Sequence, residues 1–181
     1  MSKFAPLIAS MILSAVAVGQ AHAAPAQLFG KSVVVTWTEE RQQKLVGEEH
    51  LRNVLRNAEF STYISAQGRL FSRMRYSAAG NKGGLRTGSR DRVSGEGGGG
   101  RNVSFSGNTM NVTMRMGDGG ARNLVVNLAG DGCSAQVIVG KAQGAKQIRA
   151  KSMISGNQVE ILSIKSSAAS CRVQSGNVFG N

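Results

Sequence analysis

Residues 102–139, NVSFSGNTMNVTMRMGDGGARNLVVNLAGDGCSAQVIV, contain the pattern that decides the fold. Apolar and polar residues alternate within each short run, and a glycine-containing turn separates one run from the next. Alternation with a period of two is typical of strands that have one buried and one solvated side. Successive strands joined by short turns of this kind predict an antiparallel sheet.

Strand-like segments continue on both sides of this stretch. Lys31–Thr38 is rich in β-branched residues and contains the single tryptophan of the chain. A hairpin is predicted around Ala66–Gly68, with Gly68 at a positive φ. Further strands are predicted at residues 147–155, 158–165 and 171–173. We therefore expect an all-β fold, a single antiparallel meander of roughly eight strands closed as a barrel or folded as a sandwich.

One segment between the first strand and the hairpin has a different pattern. Leu51, Val54, Leu55 and Ala58 are spaced at i, i+3, i+4 and i+7, as on one face of an amphipathic helix. This spacing predicts a short helix over Glu48–Asn57. The alternative is one arm of a long exposed hairpin.

Residues 77–101 contain nine glycines and almost no apolar residues. This composition predicts a long, flexible, basic loop within the domain. The stretch GEGGGG at residues 95–100 matches the glycine spacing of dinucleotide-binding loops. However, no strand precedes it and no helix follows it, so no cofactor is predicted.

The first 23 residues predict a cleavable secretory signal peptide. Lys3 supplies the positive charge, Leu7–Val18 supplies the apolar segment, and Ala21–Ala23 is a small-x-small cleavage site. The apolar segment is shorter than the roughly 20 residues that cross a bilayer, and no other stretch approaches that length. We therefore expect one mature β domain, residues 24–181, in the periplasm or secreted.

Two cysteines, Cys133 and Cys171, follow the predicted cleavage site. In an oxidising compartment such a pair predicts one disulfide bond. A zinc site needs about four ligands, and His50 is the only histidine beyond residue 23, so no metal is predicted. The scarcity of histidine also argues against acid–base catalysis, and no catalytic residue is predicted.

The chain is strongly basic, with 22 Lys and Arg against 10 Asp and Glu and a formal net charge of +12. Removal of Lys3 with the signal peptide lowers this charge by one, to +11. Such a charge favours anionic partners such as anionic headgroups, acidic polysaccharide or nucleic acid. The basic residues concentrate in residues 69–101, which contain eight arginines and lysines against two acidic residues.

A basic face on the second arm of the hairpin is the predicted binding surface. On a strand, Arg69, Arg73 and Arg75 share one side, because side chains alternate. The opposite side, predicted to be core, carries Leu70, Met74 and Tyr76. Guanidinium groups bind phosphate and carboxylate bidentately. Together with three arginines of the predicted loop, the candidate binding residues are Arg69, Arg73, Arg75, Arg86, Arg90 and Arg92.

These features favour a non-enzymatic module that binds an anionic or small apolar ligand, or an envelope partner. The alternating Met110, Met114 and Met116 predict either core or the lining of an apolar pocket. The alternatives are a purely structural envelope protein and a hydrolase that uses two carboxylates. Because no spacing selects the carboxylates, the candidates for such a hydrolase are Glu39, Glu40, Glu59 and Glu160.

The chain resembles small exported proteins of Gram-negative bacteria, in its Trp-containing first strand and in the segment Tyr63–Arg73. This resemblance implies export but supplies no activity, and no site residue is taken from it. The first strand, with Trp37, also resembles that of a lipocalin-like meander. The Gly-x-Trp signature of lipocalins is absent, because Val35 and Thr36 precede Trp37.

Overall fold

The computed structural model describes residues 23–79, 85–90, 101–116, 119–141, 144, 147–152 and 155–180. These residues form two antiparallel sheets, which confirms the predicted all-β class. The described strands are β1 (Lys31–Leu45), β2 (Leu51–Ile64), β3 (Leu70–Ala79), β4 (Leu85–Arg90), β5 (Arg101–Ser106), β6 (Thr109–Arg115), β7 (Gly120–Ala129), β8 (Gly132–Lys141), β9 (Ile148–Lys151), β10 (Gln158–Ser166) and β11 (Ser170–Ser175). Within these ranges, no helix is long and apolar enough to cross a membrane.

The large sheet has the strand order β4-β3-β2-β1-β10-β9, and β11 also pairs with β1. The small sheet has the order β5-β6-β7-β8, the meander that its alternating sequence predicts. In β7, for example, Leu124, Val126 and Leu128 are buried, whereas Asn123 and Asn127 are exposed. The chain thus leaves the large sheet after β4, builds the small sheet, and returns at β9.

Strand β1 organises the large sheet because it is paired along both edges. One edge pairs with β2 from Lys31↔Ile64 to Lys44↔Leu51. The other edge pairs first with β11 and then with β10. The long central strand therefore runs from the sandwich core into an arm formed with β2, β9 and β10.

The short helix predicted over Glu48–Asn57 is wrong, and the hairpin-arm alternative is confirmed. Strand β2 begins at Leu51 and continues for 14 residues in register with β1. On a strand, Leu51 and Leu55 fall on the same side and are 47% and 54% exposed. Continuous backbone pairing with β1 outweighs the local helical spacing, which supplies only a weak preference.

The predicted loop over residues 77–101 is wrong for its described part. Strand β3 extends to Ala79, and β4 pairs antiparallel with it from Ala79↔Leu85 to Met74↔Arg90. The neighbouring strand edge offers backbone partners that override a glycine-rich composition. Residues 80–84 and 91–100 of the predicted loop lie outside the described residues.

The main apolar core lies between the two sheets. Val33, Val35, Trp37 and Phe60 from the large sheet pack against residues of all four strands of the small sheet. Met74, Met110 and Met114 belong to this packed core and are at most 2% exposed, whereas Met116 is half-buried and is not part of it. A smaller apolar cluster lies in the arm, around Ile148, Val159 and Ile161.

The disulfide Cys133–Cys171 is confirmed and joins the two sheets. It links β8 of the small sheet to β11 of the large sheet, with a Cα–Cα distance of 5.6 Å. The cysteines are 38 residues apart, and closing a loop of this size stabilises the fold by about 4 kcal/mol in the chain-entropy model.

Candidate functional site

A polar groove of about 700 Å³ lies on the outer face, which is the side of the large sheet that faces away from the small sheet. It crosses β3, β2 and β1, where antiparallel register aligns side chains in rows. The two rows that line it are Thr36–Glu59–Arg75 and Thr38–Asn57–Ser77. These positions alternate with core residues such as Trp37, so strand geometry places their side chains outward.

The segment between β10 and β11 forms one side of the groove. The Thr38 N–H donates to Ser167 Oγ at 2.9 Å, and the Ser167 N–H donates to the Thr38 carbonyl at 2.8 Å. Ser167 Oγ in turn donates to the Ala168 carbonyl at 2.9 Å. This side of the groove is therefore held against β1 by hydrogen bonds.

The groups inside the groove leave hydrogen-bonding capacity unused. Arg75 is exposed and has no hydrogen bond or ion pair with any described residue. Among the described residues, Glu59 accepts a hydrogen bond only from Ser61 Oγ, at 3.3 Å. Asn57 Oδ1 accepts from Thr38 Oγ1 at 3.2 Å, which leaves the Asn57 amide donors for a ligand. Among the described residues that line the groove, the serine and threonine hydroxyls that make no hydrogen bond are those of Thr36, Ser77 and Ser170.

The C-terminal segment, residues 176–180, covers the outer face beside the groove. The Gly176 N–H donates to the Gly30 carbonyl at 2.8 Å, and Ser32 Oγ donates to the Gly176 carbonyl at 2.7 Å. The ring of Phe179 lies 4.9 Å from the guanidinium carbon of Arg73. Thus Arg73 lies under this segment, whereas Arg75, two residues farther along β3, opens into the groove.

The predicted separation of β3 into a basic side and a core side agrees with the structure. Met74 is buried, and Leu70 and Tyr76 pack against the main core. Arg69 and Arg75 are exposed, while Arg73 is half-buried. Ligand binding by these arginines stays a prediction.

Two further candidate arginines, Arg86 and Arg90, lie on β4. The backbone register pairs them with Ala78 and Met74, and Ser89 stands opposite Arg75. Ligand binding by Arg86 and Arg90 stays a prediction. Arg92 lies outside the described residues.

A second site, which the sequence analysis did not identify, is an arginine cluster between the sheets: Glu39, Arg41, Arg56 and Arg122. Their side chains are between 1% and 8% exposed. Glu39 and Arg41 come from β1, Arg56 stands opposite Glu39 on β2, and Arg122 reaches across from β7 of the small sheet. The cluster separates the main core from the smaller apolar cluster of the arm.

Glu39 is the acceptor for most of the cluster. Arg122 donates to both carboxylate oxygens of Glu39 in a bidentate arrangement. Its Nε is 2.5 Å from Oε1, and one terminal nitrogen is 3.0 Å from Oε2. Arg41 donates twice to Oε2, at 3.0 and 2.7 Å, and Trp37 Nε1 donates to Oε1 at 3.2 Å. Five donors thus fill the roughly four lone-pair positions that a carboxylate offers.

Arg56 is near Glu39 but makes no hydrogen bond to it. Its nearest terminal nitrogen is 3.9 Å from Glu39 Oε2, beyond hydrogen-bond distance, and its Nε is buried without a partner. Its guanidinium stacks on Tyr76, 3.8 Å from the ring centroid. The cluster therefore holds three guanidinium groups against one carboxylate, so two of its positive charges have no counter-ion among the described residues.

The pKa values follow from this arrangement. Burial would raise the pKa of Glu39, but the hydrogen bond from Arg122 and the charges of Arg41, Arg122 and Arg56 outweigh it and hold the pKa at about 2. Burial, with the neighbouring charge of Arg41, lowers the pKa of Arg56 to about 10. Glu39 and Arg56 are therefore both ionised at neutral pH.

The alternation of side chains along β1 and β7 indicated part of this cluster, because it places charged residues at core positions. Glu39 and Arg41 continue the side of β1 that begins with Val33, Val35 and Trp37. Arg122 likewise occupies the core side of β7, two residues before Leu124. Charged residues at core positions indicate buried ion pairs, and strand patterning alone would have located two of the three arginines.

The remaining catalytic candidates are not brought together. His50 is exposed near the tip of the arm, and Glu160 pairs with Lys44 at 4.0 Å. Glu59 is the only carboxylate among the described residues that line the groove. Within the described ranges, no group of three histidine, cysteine, aspartate or glutamate side chains is arranged to hold a metal ion.

Comparison of the chain with protein-family models, curated proteins and solved structures finds no significant match. Its function is therefore inferred from its own side chains.

Proposed function

We propose that this protein is an exported, non-enzymatic β domain that binds an anionic, hydroxyl-rich ligand in the outer-face groove. The observation that carries the proposal is the guanidinium of Arg75, which is exposed in the groove and has no partner among the described residues. Of the anionic partners that the basic composition favours, an acidic saccharide fits these groups best.

The chemistry of the groove supports a saccharide. Arg75 supplies a fork for a carboxylate, while Asn57 and the hydroxyls of Thr36 and Ser77 suit the hydroxyl groups of a sugar. Its volume of about 700 Å³ is within the range of small-molecule sites, roughly 300–1,000 Å³. Both rows lie on paired strands, which hold the groups in fixed positions.

Two alternatives have less support. A small apolar ligand would need an apolar cavity, but Met110 and Met114 are packed in the main core. A hydrolase of the two-carboxylate type needs a pair of carboxyl groups about 5–10 Å apart, and the described lining of the groove holds Glu59 alone. Glu39 is a poor general acid, since its pKa of about 2 keeps it ionised.

Export is the second part of the proposal. The Cys133–Cys171 bond supports it, because disulfides persist in oxidising compartments. Expression of the full chain in a Gram-negative host, followed by N-terminal sequencing of the periplasmic and medium fractions, should give a protein that begins at Ala24. A product that retains Lys3 and stays in the cytoplasm contradicts export.

Calorimetric titration tests the binding proposal, with tetragalacturonate as the probe and a neutral tetrasaccharide as the reference. We expect binding of the acidic probe only. Arg75→Gln should weaken it about tenfold or more, since a hydrogen bond to a charged group contributes roughly 1.5–3 kcal/mol. Arg69→Gln is the matched control, because it removes the same charge from an exposed arginine that directly precedes β3 and does not line the groove.

The two variants separate the possible outcomes. Equal weakening by Arg69→Gln and Arg75→Gln would indicate a diffuse basic face and would refute a groove site. Absence of binding to the acidic probe would refute the saccharide proposal.

A further inference from the structure

The arginine cluster has donors that its only carboxylate does not satisfy. Glu39 already accepts five hydrogen bonds, from Trp37, Arg41 and Arg122. Arg56 makes no hydrogen bond to any described residue, although its side chain is 6% exposed. A buried donor without an acceptor destabilises the fold, and a buried charge without a counter-ion destabilises it more.

We propose that the arginine cluster binds a small oxyanion, of the inorganic phosphate or sulfate class, against Arg56 and Arg41. The guanidinium edge of Arg56 supplies unused N–H donors, including its buried Nε. Arg41 uses two of its five donors on Glu39 and has no other partner in the described ranges. Planar guanidinium groups match the geometry of such an oxyanion.

Charge balance favours a dianion. Two positive charges of the cluster lack a counter-ion in the part of the chain that the structure describes, and one sulfate or one hydrogen phosphate ion neutralises them. Chloride carries half that charge and offers no separated oxygen acceptors for two guanidinium groups. The side chains are also held in place, since Arg41 is fixed by Glu39 and Arg56 by its stacking on Tyr76.

The position of the cluster gives an ion a route to it. Arg122 is the third residue of β7, so the cluster lies where the small sheet begins and the arm of β1 and β2 continues past it. Arg41 and Arg56 retain 8% and 6% side-chain exposure, in contrast to 1% for Arg122 and Glu39. The two arginines that retain unused donors are therefore the more exposed members of the cluster, although Arg56 Nε itself is buried.

Phosphorus NMR of inorganic phosphate tests the proposal on the unaltered protein. At constant ionic strength in chloride, we expect the protein to broaden the phosphate resonance. Sulfate should reverse the broadening, and more chloride should not. Phosphate should also shift one arginine Nε–H proton resonance, which is assigned to Arg56 by its loss in Arg56→Gln. An unbroadened phosphate resonance with the wild-type protein overturns the proposal without any variant.

Three variants locate the ion and separate this site from the groove. Arg56→Gln should weaken phosphate binding about tenfold or more, and Arg56→Lys, which keeps the charge without the fork, should bind at an intermediate level. Arg75→Gln should bind phosphate as the wild type does. If Arg56→Gln retains wild-type affinity, or if only Arg75→Gln loses it, the ion does not bind at the cluster. Loss of saccharide binding with phosphate binding intact would refute only the proposed groove function.

Discussion

Arg56 and Arg75 lie on neighbouring strands of one sheet, on its two opposite sides. Arg75 is exposed in the groove and unpaired among the described residues, at little energetic cost because water solvates it. Arg56 is buried, stacked on Tyr76 and 3.9 Å from Glu39. An exposed cation is stable without a bound ligand because water solvates it, whereas a buried cation requires a counter-ion in the folded state.

The two regions also differ in what they hold together. The groove is built on the large sheet alone, from β1, β2, β3 and the segment after β10. The arginine cluster joins both sheets, because Arg122 of β7 binds Glu39 of β1. We therefore expect substitutions in the cluster to affect stability and substitutions in the groove to affect ligand binding.

The largest expected effect is that of Glu39→Gln. It leaves three buried guanidinium groups without their carboxylate, and removal of one partner of a buried ion pair costs roughly 3–5 kcal/mol. We expect a loss of about 5 kcal/mol in the free energy of unfolding, at the upper end of that range because three cations share this partner. Urea denaturation measures it.

The matched control is Glu59→Gln, the same change on the outer face. It should alter the free energy of unfolding by less than about 0.5 kcal/mol. Similar losses for the two variants would contradict the assignment of the interior charge balance to Glu39.

Acid should weaken the arginine cluster through protonation of Glu39. The pKa of Glu39 is about 2 in the folded protein against an ordinary value of 4.5. A lowered folded-state pKa stabilises the fold fully above pH 4.5, and that contribution is lost as the pH falls from 4.5 towards 2. The loss should total about 3 kcal/mol, at 1.36 kcal/mol per pKa unit.

Denaturation at a series of pH values measures this contribution. Glu59→Gln should follow the wild-type curve, whereas Glu39→Gln should lack this part of the acid dependence. A Glu39→Gln curve parallel to that of the wild type between pH 4.5 and 2 would show that the carboxylate titrates normally.

The smallest expected effect on stability is that of Arg75→Gln. Because Arg75 makes no hydrogen bond or ion pair with a described residue, its loss should change the free energy of unfolding by less than about 0.5 kcal/mol. Denaturation without a ligand measures it. A larger loss would show that Arg75 has a structural role and would weaken the contrast with Arg56.

Strand structure and the buried side of each strand were predicted well where apolar and polar residues alternate regularly. The meander of β5 to β8 and the side of β3 that carries Met74 follow from a period of two. Of the residues that line the groove, the sequence analysis named Arg75 as a binding residue and Glu59 as a possible hydrolase carboxylate. Thr36 and Glu59 complete the row of Arg75. They lie on β1 and β2, and only the register of these strands with each other and with β3 places them beside Arg75.

Local patterns failed where non-local pairing determined the structure. Residues 51–57 have helical spacing, yet they form a strand because β1 offers backbone partners along its whole length. Leu85–Arg90 is rich in polar residues but pairs with β3 for the same reason. A single sequence window contains no information about a partner strand that lies outside it.

The sequence by itself determined the all-β class, the basic charge and the availability of two cysteines, because composition and a period of two depend on neighbouring residues alone. Only the tertiary structure decided which charges meet. It set Arg56 opposite Glu39, brought Arg122 across from the other sheet and left Arg75 in an open groove. Electrostatic interactions depend on distance and burial, and both are fixed when distant strands pair and the two sheets close over a common core.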